Sequence, residues 1–341
     1  MQRPTVLLLF GGESSEHEVS ISSARNVYAA LDDTKFDVVL CFIDKHGKWH
    51  LLNDLGMTIS THDAPQLVPA LGSACFMTIP ASHMIQPDVM LPVLHGKNGE
   101  DGSVQGLAQL LHIPIVGCDM TASAICMDKL ATKRILEASG IAGVDYAVHH
   151  QGEVKPSFSN LSASLGSVLF VKPNRAGSSV GVSRVTNEEE LAKALDEAHR
   201  HDAVALIERG VTGREIEVAV LGNPPKHQAS RPGEIQADGE FYSYDSKYSS
   251  TSGSKVIIPA EMSDETEQRI RDMALQAYEL LGCKGLSRVD FFLQDDGTIY
   301  LSEVNTIPGF TNISMYAKLW RHAGLGYPEL IERLIHDALH P

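Results

Sequence analysis

The sequence has no C-x-x-C pair, no apolar run approaching a membrane span, and neither of the two common glycine fingerprints for nucleotides. Its five cysteines (Cys41, Cys75, Cys118, Cys126, Cys283) are an odd count without ligand spacing. That argues against a disulfide framework and against a cysteine-built zinc site. No stretch comes near the ~18 apolar residues of a spanning helix. The first apolar run, residues 5–10, is too short for a signal h-region and lacks its basic run and cleavage site. Positive charge is scarce: 28 Lys+Arg stand against 43 Asp+Glu, a formal net charge of −15. Such a body repels nucleic acid and anionic membrane. These absences predict a reduced, soluble, cytoplasmic protein with neither nucleic acid nor membrane as partner. Without G-x-x-x-x-G-K-[ST] there is no P-loop, and without G-x-G-x-x-G after the first strand a dinucleotide-dependent dehydrogenase is disfavoured.

What is present fits a folded α/β chain. At 341 residues, 43% apolar and 21% charged, two or three domains are expected. Residues 5–10 read as a buried parallel strand. A helix carrying Ile21, Ala24, Tyr28 and Leu31 on one face follows, then strands at 37–43 and 88–91 and a helix over 103–111, a β-α-β start. Residues 53–87 read mostly as loop. A helix over 127–139 ending at Gly140, a strand over 167–171 stopped by Lys172-Pro173, and a helix capped by Asn187 form a second unit, with a strand at 203–208. Strands at 214–221, 256–258, 288–293 and 298–304 form a third, with a helix after Ser263 bearing Ile270, Met273, Ala274, Ala277 and Leu281, and a last helix over 328–339. His46 and His50 read as turn residues, and His149, His150, His199 and His201 as solvated.

The most informative segment runs from Arg288 to Asn305. Asp296-Gly297 is a strong signal for a two-residue turn. With that turn, cross-strand partners sum to 593: Leu293 faces Tyr300, Asp290 faces Glu303, and Arg288 faces Asn305. Alternation then projects Arg288, Asp290, Glu303 and Asn305 from one face, which Phe292 and Leu301 keep partly buried, while Phe291, Leu293 and Val304 line the other. Opposed β-carbons stand ~5 Å apart, so two carboxylates there repel unless a cation lies between them. Hard oxygen donors of this kind suit Mg²⁺, which takes one or two carboxylates and completes its shell with phosphate and water. A merely solvated polar stripe remains the competing reading at this point.

Cations to balance a phosphate are also placed. Lys172 ends a strand directly before Asn174-Arg-Ala-Gly-Ser-Ser-Val-Gly181, whose backbone N–H groups suit phosphate oxygens. Residues 241–255 hold six serines with Tyr242, Tyr244 and Tyr248. Long loops with aromatics act as lids, here with Lys247 and Tyr248 pointing inward.

Seven segments in this order resemble D-alanine–D-alanine ligases of the ATP-grasp superfamily over nearly the whole chain. They are Gly11-Gly-Glu-Ser-Ser-Glu-His-Glu-Val-Ser20, His95-Gly-Lys-Asn-Gly-Glu-Asp-Gly102, Met127-Asp-Lys-Leu130, the segment 172–181, Lys247-Tyr248, Arg288-Val-Asp290, and Glu303-Val-Asn-Thr-Ile-Pro-Gly-Phe-Thr-Asn-Ile-Ser-Met315. The Asn-Ile-Ser-Met ending is similar to the A-type group. The resemblance implies an α/β (α+β) ATP-grasp architecture. An N-terminal open β-α-β substrate domain (1–120) precedes two α+β subdomains (121–208 and 209–341) that sandwich ATP, the last holding the metal site and the lid 241–255. It implies ATP-dependent joining of two D-alanines through an acyl phosphate for peptidoglycan precursors, with a related ligase using D-serine or D-lactate as the alternative.

The same resemblance implies residue roles. Lys129, Lys172 and Lys247 hold the ATP phosphates. Glu208, Arg209 and Val211 line the adenine, and Glu215 meets the ribose. Asp290, Glu303 and Asn305 ligate two Mg²⁺ (or Mn²⁺) ions. Glu16 takes the first D-alanine's ammonium and is linked through Ser178 to Tyr248, with His95 nearby. Arg288 and the Gly309 N–H stabilise the oxyanion, while Ser314 and Met315 bind the second D-alanine. A homodimer is also implied.

Overall fold

The computed structural model describes residues 3–236 and 255–341. Lys247, Tyr248 and the expected lid, apart from Lys255, lie outside the described residues.

Three sheets organise the described residues. The first contains β1 (Thr5–Gly11), β2 (Asp37–Ile43), β3 (Trp49–Leu52), β4 (Gln66–Ala70), β5 (Cys75–Ile79), β6 (Met84–Ile85) and β7 (Val89–Pro92), in the order β6-β5-β4-β3-β2-β1-β7. β1 lies parallel to β2 and β7. Its unbroken apolar run follows from having both faces covered. Val6, Leu8 and Phe10 join one core with Ile21, Ala24 and Val27 of helix α1 (His17–Ala30) and with the C-terminal helices Met315–His322 and Tyr327–Leu339. Leu7 and Leu9 join a second core under α2 (Ser103–Leu111).

One expectation fails here and another is incomplete. Tyr28 is 40% exposed, and Val27 takes the inward position instead. Residues 53–87 are mostly loop, as expected, but the short strands β4, β5 and β6 within them form an antiparallel extension of the sheet. One face of that extension is buried through Leu67, Phe76 and Thr78; on the other Cys75 is buried, while Val68, Met77, Ile79 and Met84 stay exposed. Apolar residues on both faces hide the period-2 signal that sequence reading needs.

The second sheet has the order β10-β9-β11-β8, from β8 (Tyr146–His150), β9 (Leu169–Pro173), β10 (Ser183–Val185) and β11 (Val204–Arg209). Helices α5 (Phe158–Leu165) and α6 (Glu188–Ala198) cover it. Asn187 caps α6 as expected, accepting the Glu190 N–H at 3.0 Å. Before this sheet, α3 (Met120–Met127) and α4 (Lys129–Ala138) replace the single expected helix over 127–139. Asp128 separates them and caps α4, accepting the Ala131 N–H at 2.9 Å.

His149 and His199 are not simply solvated. His199 Nδ1 lies 3.1 Å from the Asp202 carbonyl oxygen, and its Nε2 lies 2.8 Å from His149 Nδ1.

The third sheet runs β15-β14-β12-β16-β17, with β13 (Gln228–Ala229) beside β12. Its other strands are β12 (Arg214–Leu221), β14 (Gly233–Gln236), β15 (Lys255–Ile257), β16 (Leu286–Leu293) and β17 (Ile299–Asn305). Helix Asp264–Leu280 packs Ile270, Ala274 and Ala277 beneath it, capped by Ser263.

Candidate active site

The β16–β17 hairpin pairs Arg288 with Asn305 and Asp290 with Glu303, as expected. Its turn end differs. Gln294 N–H bonds the Thr298 carbonyl at 2.9 Å, so three residues, not two, form the loop, and Leu293 pairs with Ile299 in place of Tyr300. The register then shifts by one between Asp290 and Phe291. Ser302 is the residue without an opposite partner. This bulge restores the expected pairing where the charges sit, and it re-aims the chain. Leu301 faces the buried core at 3% exposure, not the polar face, while Glu303 emerges on the site side.

On that face β12 adds Glu217, the cross-strand partner of Asp290, so carboxylates from three adjacent strands form a row. Arg288 answers them. Its Nε and Nη2 donate to the two Asp290 oxygens at 2.7 Å each, and Nε lies 3.0 Å from Glu217 Oε2. Burial alone would favour the neutral guanidine, but Asp290 and Glu217 outweigh it and hold Arg288 firmly charged. Asn305 Nδ2 donates to Asp290 at 2.9 Å, leaving its carbonyl oxygen as a donor atom for a cation. Two carboxylates and an amide are too few for an all-protein cage, but they suit an ion that shares its shell with phosphate and water.

A second charged cluster gathers on α4, β9 and β11. Lys172 lies 2.5 Å from Glu208 Oε2, and Lys133 of α4 lies 2.9 Å from Oε1. Burial pushes the Glu208 carboxyl up, yet the two ammonium groups more than reverse this and bring it down to about 2. Lys129, one turn before Lys133, donates to the Ala176 carbonyl at 2.7 Å and lies 3.8 Å from Glu303 Oε1. It therefore joins the two clusters. Burial favours its neutral form, and Glu303 opposes that shift. Arg209 is turned away from Glu208, donating to the Tyr300 hydroxyl at 2.7 Å. Val211 and Glu215 are half-buried at the β11–β12 connection and on β12.

The Gly/Ser loop is tied down at its start. Asn174 is buried; its Oδ1 accepts the Leu130 N–H at 2.8 Å at the start of α4. Arg175 donates through its backbone N–H, Nε and Nη2 to Asp202. Ser178 and Ser179 both take positive φ, +51° and +59°. Consecutive left-handed residues turn the backbone back on itself, an arrangement that costs energy without glycine and is common at ligand clamps.

The first sheet delivers the remaining groups. Glu16 follows β1 and His95 follows β7, at the carboxyl ends of adjacent parallel strands where α/β sheets bind ligands. Both side chains are buried. An added Cβ at Gly96 would stand 3.4 Å from Glu16 Oε2, and one at Gly177 3.8 Å, so Glu16 lies between the His95 loop and the Gly/Ser loop. His95 Nδ1 donates to the Ile307 carbonyl at 3.2 Å, which leaves Nε2 to accept from Ser23 Oγ at 3.3 Å. Burial lowers its basicity, and Glu16 only partly compensates. Glu100 Oε2 accepts the Gly96 N–H at 2.6 Å; burial and the Glu16 charge push its carboxyl up to about 8.

Ser314 stands at the N-cap position of the helix Met315–His322 without capping it through its side chain, and its Oγ accepts the Thr311 N–H at 3.0 Å. It sits beside Gly309, where a Cβ would come within 3.3 Å of Oγ. The Met315 side chain is packed in the core against Leu319 and Gly233, so only its backbone faces the helix N-terminus.

Sequence reading passed over Lys133, Glu217 and Asp202. For two of them a signal existed: Lys133 stands four residues after Lys129 on a helix, and Glu217 two after Glu215 on a strand. The structure brings Glu16, His95, the Gly/Ser loop, Lys129, Lys172, Glu208, Arg288, Asp290, Glu303 and Asn305 into connected contacts. Two unlike clusters result, one rich in carboxylates and one rich in ammonium groups, meeting at Lys129 and Glu303.

Comparison with known proteins gives the family of the chain. Family models described as D-ala D-ala ligase N-terminus and D-ala D-ala ligase C-terminus match residues 5–118 and 135–336. The chain is 44% identical over 352 residues to D-alanine--D-alanine ligase A of Escherichia coli (strain K12), covering 99% of this chain and 96% of the relative. The solved D-alanine-D-alanine ligase from Coxiella burnetii superposes with a TM-score of 0.89 at 34% identity, covering 100% of this chain and 95% of that one. A D-Ala:D-Ser ligase from Enterococcus faecalis also superposes at 0.89, with 35% identity over 99% and 100% of the two chains.

Proposed function

This chain belongs to the D-alanine–D-alanine ligase family and has its ATP-grasp architecture, and on that premise we propose how its residues join two D-alanines at the expense of ATP. The observation that carries the proposal is the row Glu217–Asp290–Glu303, answered by Arg288, a short step from the lysine cluster.

A carboxylate is a poor electrophile, so the first D-alanine is activated by taking the γ-phosphoryl group as an acyl phosphate. Glu16 receives that amino acid's ammonium, with His95 beside it. Lys129 and Lys172 hold the phosphates, the strand end at Glu208, Arg209 and Val211 lines the adenine, and Glu215 meets the ribose. Asp290, Glu303 and Asn305 would hold two Mg²⁺ (or Mn²⁺) ions, which would offset phosphate charge. The second D-alanine, held at Ser314 and the Met315 backbone, attacks the acyl carbon through its neutral amine. Arg288 and the Gly309 N–H stabilise the oxygen that becomes negative, and phosphate leaves. Ser178 links Glu16 toward Tyr248 in this scheme. The pathway role is peptidoglycan precursor synthesis in the cytoplasm, by a homodimer.

Identity to the A-type ligases favours D-alanine over D-serine or D-lactate as second substrate. Phosphate release from Mg·ATP, measured over a panel of D- and L-amino acids and D-lactate, tests this. D-alanine alone is expected to support turnover and to yield the dipeptide. Depsipeptide as the main product of D-alanine plus D-lactate near neutral pH would overturn it.

A further inference from the structure

Lys133 has no part in the scheme above, yet it is one of the few buried cations, 7% exposed. Its Nζ donates to the Val144 carbonyl at 3.0 Å, lies 2.9 Å from Glu208 Oε1, and stands 5.1 Å from the centre of the Tyr146 ring. Lys172 holds the other oxygen, Oε2, at 2.5 Å. The two lysines differ in setting. The Lys133 side chain is 8% exposed and anchored to backbone, whereas that of Lys172 is 19% exposed and stands at the end of β9, just before the Gly/Ser loop.

For Lys172 to serve a phosphate it must loosen its hold on Glu208. A buried carboxylate that loses its sole cation is strongly disfavoured, so a lone Lys172–Glu208 pair would resist giving its lysine to a nucleotide. A second, anchored ammonium removes that resistance, because Glu208 stays compensated after Lys172 turns away. We infer that Lys133 is a positioning residue: it keeps Glu208 neutralised in place and thereby frees Lys172 for the ATP phosphates. The inference rests on the reading that Lys172 meets those phosphates.

Steady-state kinetics with Mg·ATP varied at saturating D-alanine test it. Lys133→Met should raise the KM for ATP roughly tenfold while kcat and the KM for D-alanine change less than about twofold, a split that general loosening of the fold would not give. Lys133→Arg should restore the KM for ATP. Lys133→Gln, which retains hydrogen bonds to Glu208 and Val144 but lacks charge, should behave like Lys133→Met and serves if the latter fails to fold. In a Glu208→Gln background, where Lys172 has no carboxylate to leave, Lys133→Met should add less than about twofold. An unchanged KM for ATP in folded Lys133→Met or Lys133→Gln, or an undiminished tenfold effect in the Glu208→Gln background, overturns the inference. Lys172→Met separates the two layers. If it too leaves the KM for ATP unchanged, the phosphate role of Lys172 falls; if it raises that KM while the Lys133 variants do not, only the role of Lys133 falls.

Discussion

On the β16–β17 face three carboxylates, Glu217, Asp290 and Glu303, surround one guanidinium, Arg288. Around β11 the ratio is inverted, with Lys129, Lys133 and Lys172 gathered about Glu208. Among the described residues the first cluster is thus weighted to carboxylates and the second to ammonium groups. The two excesses are complementary to a metal–triphosphate complex: the carboxylates want cations and the ammonium groups want anionic oxygens. Among the described residues they meet at Lys129 and Glu303, an ion pair at 3.8 Å whose charges partly offset each other.

Removing one charge from each side breaks the comparison in a different way. Glu303→Gln takes away an acidic ligand without changing shape, and D-alanine-dependent phosphate release should fall by about 10²–10³-fold, the scale of losing one group that stabilises developing charge. Near-normal turnover would remove the hairpin from the chemistry. Glu208 should act on stability. Its carboxyl is held at about 2 against an ordinary 4.5, so its contribution is complete above about 4.5 and is lost as pH falls toward 2. The shift corresponds to roughly 3 kcal/mol. Urea midpoints at pH 7 and pH 3 should therefore converge between wild type and Glu208→Gln on acidification; a constant gap would contradict the pairing. Lys129→Met, at the junction, should weaken ATP binding about tenfold, one charge-assisted contact, read by calorimetry. The smallest effect belongs outside both clusters. Ser23→Ala removes a neutral hydrogen bond to His95 and should cost about 1 kcal/mol in denaturant unfolding, with ATP affinity unchanged.

Much of the acidic side was legible in the sequence because strand periodicity fixes which residues share a face. Arg288, Asp290, Glu303 and Asn305 were placed correctly even though two local features went unseen. The turn holds three residues instead of two, and the bulge at Ser302 compensates. Each shifts register by one, in opposite senses, so the error shows only between them, at Leu293, Tyr300 and Leu301. The basic side was harder. Lys133 was passed over, and the β9–β11 pairing, which places Lys172 opposite Leu206 and sets Glu208 two residues on, reveals why it is buried. Asp202 lies 27 residues from Arg175, a separation no local pattern reports. The short strands within residues 53–87 were missed for a third reason: an edge extension buried mainly on one side, with apolar residues on both, carries little alternation.

The most direct test of complementary excess charge is calorimetric titration of a non-hydrolysable ATP analogue, with and without Mg²⁺, into the wild type and Glu303→Gln. The account predicts that Mg²⁺ strengthens binding by at least about tenfold in the wild type and that Glu303→Gln loses most of this gain while retaining its metal-free affinity. An equal gain from Mg²⁺ in both proteins would contradict it.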